Sequence, residues 1–342
     1  MCALYDKAGS LAGVVINDVS TNDIVQYEQK TINLTKTLEI PNDATADSGY
    51  RAYVFLLDNF TSIKPLAEAK NYGVQKTDPT VFICSDSTAC EYVSAIYEPR
   101  TGWGQKLGAL LDGATVNNIA VSGMSSRSFF FDENAAGDKG RANTLNTSLS
   151  EGDIVLVQFG HNDEESGLSA KRTVNVNSDG TVDTTKSNSY TAYLQMIVDM
   201  AAAKNASVVF VTSPSKLNGG PSAAPSLMKS LAESIALPVV DLNSASSSVY
   251  SKLREESKEP KYYFMYWTSD TKDAFITEHG SLGTYYSSKE SNTDGTHFNA
   301  EGADMIAHLF AGCVDKTNIM SRYLKTGSGK TVDETVAAYP QN

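Results

Sequence analysis

"VFICSDSTAC", residues 81–90, is the stretch whose reading decides the fold. Four apolar residues, Val81-Phe82-Ile83-Cys84, run straight into Ser85-Asp86-Ser87-Thr88. A short apolar run bounded by turn residues is consistent with a strand buried on both faces. Residues 85–88 have two readings: a turn in which Asp86 and Ser87 cap the next helix, or a serine nucleophile held at the carboxyl edge of a sheet. Taken alone, these residues favour the cap, and the rest of the chain has to decide.

Outward from this run the same rhythm repeats. Asn118–Val121, Ile154–Phe159, Val208–Val211 and Val239–Leu242 are further strand candidates, with helical stretches between them. The clearest helix carries Leu194, Ile197, Val198 and Ala201, the spacing of one buried face, and another runs from about Ala300 to Val314. Short apolar strands alternating with helices predict an α/β domain, a parallel sheet covered on both faces. In such sheets ligands bind beyond the carboxyl ends of the strands, so the residues just after each strand are the ones to inspect.

Residues 1–69 read differently. Gly13-Val14-Val15-Ile16, Thr31-Ile32-Asn33-Leu34 and Tyr50–Leu57 are β-rich runs separated by clusters such as "PNDATADSG". They predict a small all-β, sandwich-like module; residues 70–79, "KNYGVQKTDP", read as a linker, and 80–342 as the α/β domain. Within that domain, 164–190 is a polar insertion after a strand, with Val174 and Val176 alternating with polar residues before Ser178-Asp179-Gly180. It reads as a hairpin near the ligand edge, either a substrate-contacting flap or a solvated excursion.

Composition excludes several classes. A formal net charge of -12 over 342 residues opposes nucleic acid and anionic membranes as partners. No apolar stretch approaches the ~20 residues of a membrane span. The four cysteines show no metal-like spacing; Cys84 and Cys90 are close enough to bridge but read as buried thiols. The four histidines are scattered, which suits no zinc site, and "TGSGKT" (326–331) lacks the spacer of a phosphate loop. Neither metal nor cofactor is expected. Sequons begin at Asn33, Asn59, Asn146 and Asn205, a motif short enough to arise by chance.

Four strand-end segments carry reactive chemistry. Ser87 follows the first strand, Gly123 lies in "VSGMSSRS" after the second, Asn162 lies in "FGHND" after the third, and Asp294 and His297 stand three apart before the last helix. A serine hydroxyl needs a base, which His297 can be, with Asp294 holding its ring. An acyl-transfer intermediate needs oxyanion donors, which the N–H groups of Ser87 and Gly123 and the amide of Asn162 can supply. Glycine at 123 lets a backbone amide approach a substrate closely.

This set resembles the SGNH (GDSL-type) hydrolase superfamily, in which Ser, Gly, Asn and His occur in that order. "SDST", "TGWGQ" (101–105), "NIAVSGMSSRSF" (118–129), "QFGHND" (158–163) and "DGTHFNAEGA" (294–303) resemble carbohydrate esterase family 12, whose member type is rhamnogalacturonan acetylesterase. The resemblance spans roughly 80–318. It implies a flavodoxin-like three-layer α/β/α sandwich, Ser87 as nucleophile, Gly123 and Asn162 in the oxyanion hole with Ser87 N–H, His297 as base and Asp294 as its orienter. Two positions depart from the pattern: Ser85 stands where the family usually has Gly, and Met124 where it usually has Arg.

The resemblance implies deacetylation of a plant polysaccharide or oligosaccharide, first acetylated rhamnogalacturonan, with acetylated xylan as rival. A broad lipase or thioesterase is a third reading. A carbohydrate-binding protein with a vestigial site is a fourth. Arg127, Trp103 and His161 are candidate substrate contacts. Each also has a structural reading: Arg127 as a loop brace, Trp103 as a packing anchor, His161 as a supporting hydrogen bonder. A polymeric substrate implies secretion, with a leader absent from this sequence, and allows docking to other polysaccharide-degrading modules.

Overall fold

A computed structural model describes residues 1–5, 11–16, 51–54, 70–73, 78–131, 140–164, 173–174, 189–218 and 222–340. The chain divides into two compact units, Met1–Thr77 and Asp78–Asn342.

In the first unit, β1 (Cys2–Tyr5), β2 (Leu11–Val15), β3 (Arg51–Val54) and β4 (Lys70–Gly73) form one antiparallel sheet in the order β2-β1-β3-β4. Beyond β1, which is not among the expected strands, this differs from the sequence expectation in two ways. Residues 70–73, read as the start of the linker 70–79, are a strand paired with β3, Lys70 opposite Val54 and Gly73 opposite Arg51. An edge strand gains its stability from backbone hydrogen bonds on one side and needs no apolar run, so it left no hydrophobic signal. The described residues give a single sheet rather than a sandwich, and the expected strand 31–34 lies outside them.

The second unit holds a parallel sheet of β5 (Thr80–Ser85), β6 (Thr115–Asn118), β7 (Ile154–Gln158), β8 (Ser207–Val211) and β9 (Val239–Val240), ordered β6-β5-β7-β8-β9. That is the flavodoxin-like order, with the chain reversing direction of travel at β5. Strand alternation sorts the core into two layers. Val81, Ile83, Ile154 and Leu156 face the helices Leu242–Glu255 and Ala300–Cys313. Phe82, Cys84, Val155 and Val157 face Gly140–Ser148, Tyr190–Ala202 and Ala224–Ser234. The three-layer α/β/α architecture follows from strands that are apolar on both faces.

Strand limits moved at the sheet's edges. The strand expected at Asn118–Val121 is Thr115–Asn118, half-exposed because β6 is an edge, while Ile119 and Val121 continue beside β5 by donating to the Ile83 and Ser85 carbonyls. The strand expected at Val239–Leu242 stops at Val240, because the Asp241 side chain accepts from Ser244 N–H and starts the helix Leu242–Glu255. The aromatic run 262–267 contributes β10 (Phe264–Trp267), which pairs antiparallel with β11 (Asn292–Phe298). Of the insertion 164–190, only Glu164, Thr173, Val174, Ser189 and Tyr190 are described, so the expected hairpin lies outside the described residues.

Candidate active site

Ser87 leaves β5 in a turn fixed by its neighbours. The Asp86 Oδ1 atom accepts from Thr88 N–H at 2.9 Å and from the Thr88 hydroxyl at 2.8 Å. Tyr92 donates its hydroxyl to the Ser87 carbonyl at 2.8 Å. The "TGWGQ" segment packs onto the same turn: Trp103 N–H donates to the Thr88 carbonyl, and a Cβ on Gly102 would lie 2.1 Å from the Cys90 carbonyl oxygen. Glycine at 102 is therefore a packing requirement of the nucleophile turn.

His297 and Asp294 come from a distortion in β11. Phe264 pairs with Phe298 and Tyr266 with Thr293, so Met265 alone opposes residues 294–297. Such a bulge re-aims side chains out of the ladder. It brings His297 Nε2 to 2.8 Å from Ser87 Oγ and His297 Nδ1 to 2.6 Å from Asp294 Oδ2. Asp294 Oδ1 accepts from the N–H groups of Thr296 and His297, which fixes the carboxylate plane. Burial pushes the Asp294 carboxyl up, but the hydrogen bond and charge of His297 and the two backbone donors outweigh it, holding the group below its ordinary 3.8. As a carboxylate Asp294 only accepts, so the shared hydrogen sits on Nδ1 and Nε2 is left to accept from the serine hydroxyl.

The other two oxyanion candidates lie in the next two loops, which one hydrogen bond joins. Gly123 has φ 78°, a left-handed conformation suited to glycine. Asn162 donates one Nδ2 hydrogen to the Met124 carbonyl at 2.8 Å, which orients the amide against the Gly123 loop. Asp163 ties the same loop: it accepts from the Ser126 hydroxyl at 2.6 Å, from Ser126 N–H and from the Thr173 hydroxyl. Burial pushes the Asp163 carboxyl up to about 6, against the downward pull of those donors and with Asp86's charge adding to the rise.

Each of the three candidate substrate contacts has a structural partner. Trp103 is fully buried, donates Nε1–H to Gln158 Oε1 at 2.7 Å and stacks on Phe310 at 5.2 Å, so no indole face is left for a sugar. His161 Nε2 donates to the Pro214 carbonyl at 2.9 Å, and Nδ1 lies 3.5 Å from Asp86 Oδ2, which holds the ring as a support. Arg127 lays its guanidinium over the Phe131 ring, 5.5 Å from the centroid, and its carbonyl accepts from Phe130 and Phe131, which braces the loop. The two departures from the family pattern sit inside: Met124 packs in the core layer of Phe82 and Val155, and Ser85 Oγ is buried with no hydrogen-bond partner. Cys84 and Cys90 are free buried thiols.

Sequence reasoning missed the links that hold these pieces together. Gln158 Nε2 donates to Thr88 Oγ1 at 2.9 Å, so a line of hydrogen bonds runs from Trp103 through Gln158 and Thr88 to Asp86, whose other oxygen meets His161. A glutamine closing a buried apolar strand was the available signal, since a buried amide requires partners.

A family model described as the GDSL-like Lipase/Acylhydrolase family matches residues 86–305, a span that includes Ser87, Gly123, Asn162, Asp294 and His297. The chain belongs to this family. Two curated relatives of this GDSL-like chain are similar over about two thirds or more of its length. Rhamnogalacturonan acetylesterase RhgT of Bacillus subtilis (strain 168) is 27% identical over 260 residues, 73% of this chain and 96% of that enzyme. The probable rhamnogalacturonan acetylesterase YesY of the same organism is 25% identical over 240 residues, 68% of this chain and 90% of its own length. Among solved structures, YxiM of Bacillus subtilis aligns at 21% identity with a TM-score of 0.47, over 70% of this chain and 57% of that one. A catalytic mutant of Axe2, an acetylxylan esterase from Geobacillus stearothermophilus, aligns at 16% identity with a TM-score of 0.40, over 68% of this chain and 92% of that one.

Proposed function

We propose that this GDSL-like hydrolase is a serine acetylesterase that removes O-acetyl groups from plant cell-wall polysaccharide, with acetylated rhamnogalacturonan as its principal substrate. The observation that carries the reading is the continuous hydrogen-bonded line Ser87–His297–Asp294, with distances of 2.8 and 2.6 Å. In the first step Ser87 Oγ attacks the acetyl carbonyl carbon and its proton passes to His297 Nε2. The N–H groups of Ser87 and Gly123 and the second hydrogen of the Asn162 amide hold the negative oxygen. The bond from the carbonyl carbon to the sugar oxygen then breaks, and His297 returns the proton to that oxygen. Water attacks the acetyl-serine by the same route, giving acetate and restoring the serine hydroxyl. Asp294, held as a carboxylate, keeps His297 in the required tautomer throughout.

Similarity to RhgT and YesY supports rhamnogalacturonan over other polymers. A substrate too large to enter a cell makes the enzyme a secreted one in this proposal. The test is acetate released from acetylated rhamnogalacturonan and from acetylated xylan under one set of conditions. Faster release from the former is expected. Equal or faster release from xylan would replace the substrate while leaving the chemistry intact, and release from neither polymer nor from an aryl acetate would overturn the esterase.

A further inference from the structure

A ridge of aromatic rings borders the Ser87 turn. Tyr92, whose hydroxyl donates to the Ser87 carbonyl, meets Tyr97 edge-on at 5.8 Å, and Tyr97 meets Tyr285 at 5.2 Å. Tyr285 in turn stands at 90° to the buried Tyr286, 4.8 Å away. The two contributing segments are locked together: Gly283 N–H donates to the Glu98 carbonyl, and a Cβ on Gly283 would lie 2.1 Å from the Ala95 carbonyl oxygen. At the inner end, Arg100 lies over the Tyr92 ring at 4.4 Å, and both Arg100 and Tyr286 are close enough to Asp294 to feel its charge. The ridge therefore starts at the catalytic residues and runs outward.

Its outer end is apolar and exposed, and it carries one lysine, Lys289. Val93 is 87% exposed, Ile96 47% and Tyr285 46%, in a protein whose other large apolar side chains are mostly buried. The exposed Tyr285 ring continues the packed line of Tyr97 and Tyr92, and exposed apolar surface joined to a reactive turn in this way suits a ligand or partner. Lys289 holds its ammonium 4.2 Å from the Tyr285 ring centroid and 5.0 Å from that of Tyr286, so the rings fix a cation on the ridge. A fixed ammonium beside the half-exposed Tyr285 ring suits a ligand that is apolar on one face and carries a carboxylate at its edge. A pyranose uronate has that chemistry: its ring C–H groups present an apolar face, and its carboxylate accepts charge-assisted hydrogen bonds. A membrane or nucleic acid would require many cations, and the net charge of -12 opposes both.

We infer that Ile96, Tyr97, Tyr285 and Lys289 form a subsite for a uronic-acid residue of the substrate chain, with Lys289 pairing its carboxylate and the tyrosines carrying its ring. The choice of a polysaccharide rests on the esterase reading. Such a subsite explains how an acidic enzyme holds a polyanionic chain: one pre-oriented cation at the site outweighs diffuse repulsion that salt screens. Tyr285 and Lys289 would set the preference for a uronate-bearing backbone over a neutral one.

The experiment measures binding apart from turnover. Deacetylated galacturonate-containing oligosaccharides and neutral xylo-oligosaccharides of equal length are titrated calorimetrically into Ser87→Ala protein. The uronate oligomer should bind about tenfold or more tightly than the neutral one, and raised salt should narrow the gap. Adding Lys289→Gln should remove most of that preference, Lys289→Arg should restore it, and Tyr285→Ala should weaken both ligands. Because Tyr285 and Lys289 lie at the surface, an unchanged thermal midpoint confirms that these variants fold. An unchanged uronate-to-neutral ratio in Lys289→Gln, or binding of neither oligomer, would overturn the subsite, the latter leaving the exposed ridge as a protein-docking surface. Aryl acetate hydrolysis by the native enzyme reports the esterase separately: turnover without charge-dependent binding sinks the subsite alone, and charge-dependent binding without turnover sinks the esterase alone.

Discussion

Asp163 is a buried carboxyl whose proton the fold helps to hold, and Asp163→Asn isolates it. The carboxyl is pushed from 3.8 to about 6 by burial, so the native state keeps its proton over a range in which the unfolded chain has released it. A raised carboxyl contributes stability that is complete below pH 3.8 and is lost as the pH climbs through 6. The full swing is about 3 kcal/mol, of which about 2 kcal/mol falls between pH ~4.5 and ~7.5. Asp86 and Asp294 have lowered values and act in the opposite sense, but their stability is lost only as the pH falls below 3.8, outside this window. Urea unfolding followed by tryptophan fluorescence suits the assay, because both tryptophans, Trp103 and Trp267, are buried in the unit Asp78–Asn342. Native protein should lose about 2 kcal/mol relative to Asp163→Asn on going from pH ~4.5 to ~7.5. The absolute offset depends on how the new amide finds partners; the difference in slope does not. Parallel stability curves for the two proteins would refute the assignment of a high-lying carboxyl to Asp163.

Asn162→Ala removes an oxyanion donor while leaving the triad in place, and kcat on an aryl acetate should fall by about 10²–10³ with KM little changed. A fall of less than about threefold would remove Asn162 from the oxyanion hole. Trp103→Phe deletes the Nε1–H donor to Gln158 and leaves a buried acceptor unpaired, so unfolding stability should drop by about 1–3 kcal/mol. Lost polysaccharide affinity at undiminished stability would return Trp103 to the substrate-binding group.

The central sheet was legible because its inner strands are apolar on both faces and alternate with amphipathic helices. Val81-Phe82-Ile83-Cys84 and Ile154–Phe159 could hardly be anything else once their neighbours were read together. Edges were not legible. Thr115–Asn118 and Lys70–Gly73 are held by backbone hydrogen bonds along one side, and such edges need no apolar run in the sequence. Ser87, Asp294 and His297 were readable as types and order, since acyl transfer narrows the choice of side chains. The device that presents two of them was hidden: the register break opposite Met265 depends on how β10 and β11 pair, which neither strand's sequence states. Trp103, Arg127 and His161 looked like substrate contacts for the same reason that many residues near a site do. They flank reactive loops, and only packing shows that Trp103 is enclosed and that His161 and Arg127 hold partners in those loops.

The most direct test of the serine mechanism is to acid-quench the enzyme during turnover of an aryl acetate and map the acetyl group by peptide mass spectrometry. An acetyl-enzyme on the peptide containing Ser87, absent in Ser87→Ala together with acetate release, is the predicted result. Acetate release that persists in Ser87→Ala, or an acetyl group trapped on a different residue, would contradict the mechanism and the site built around it.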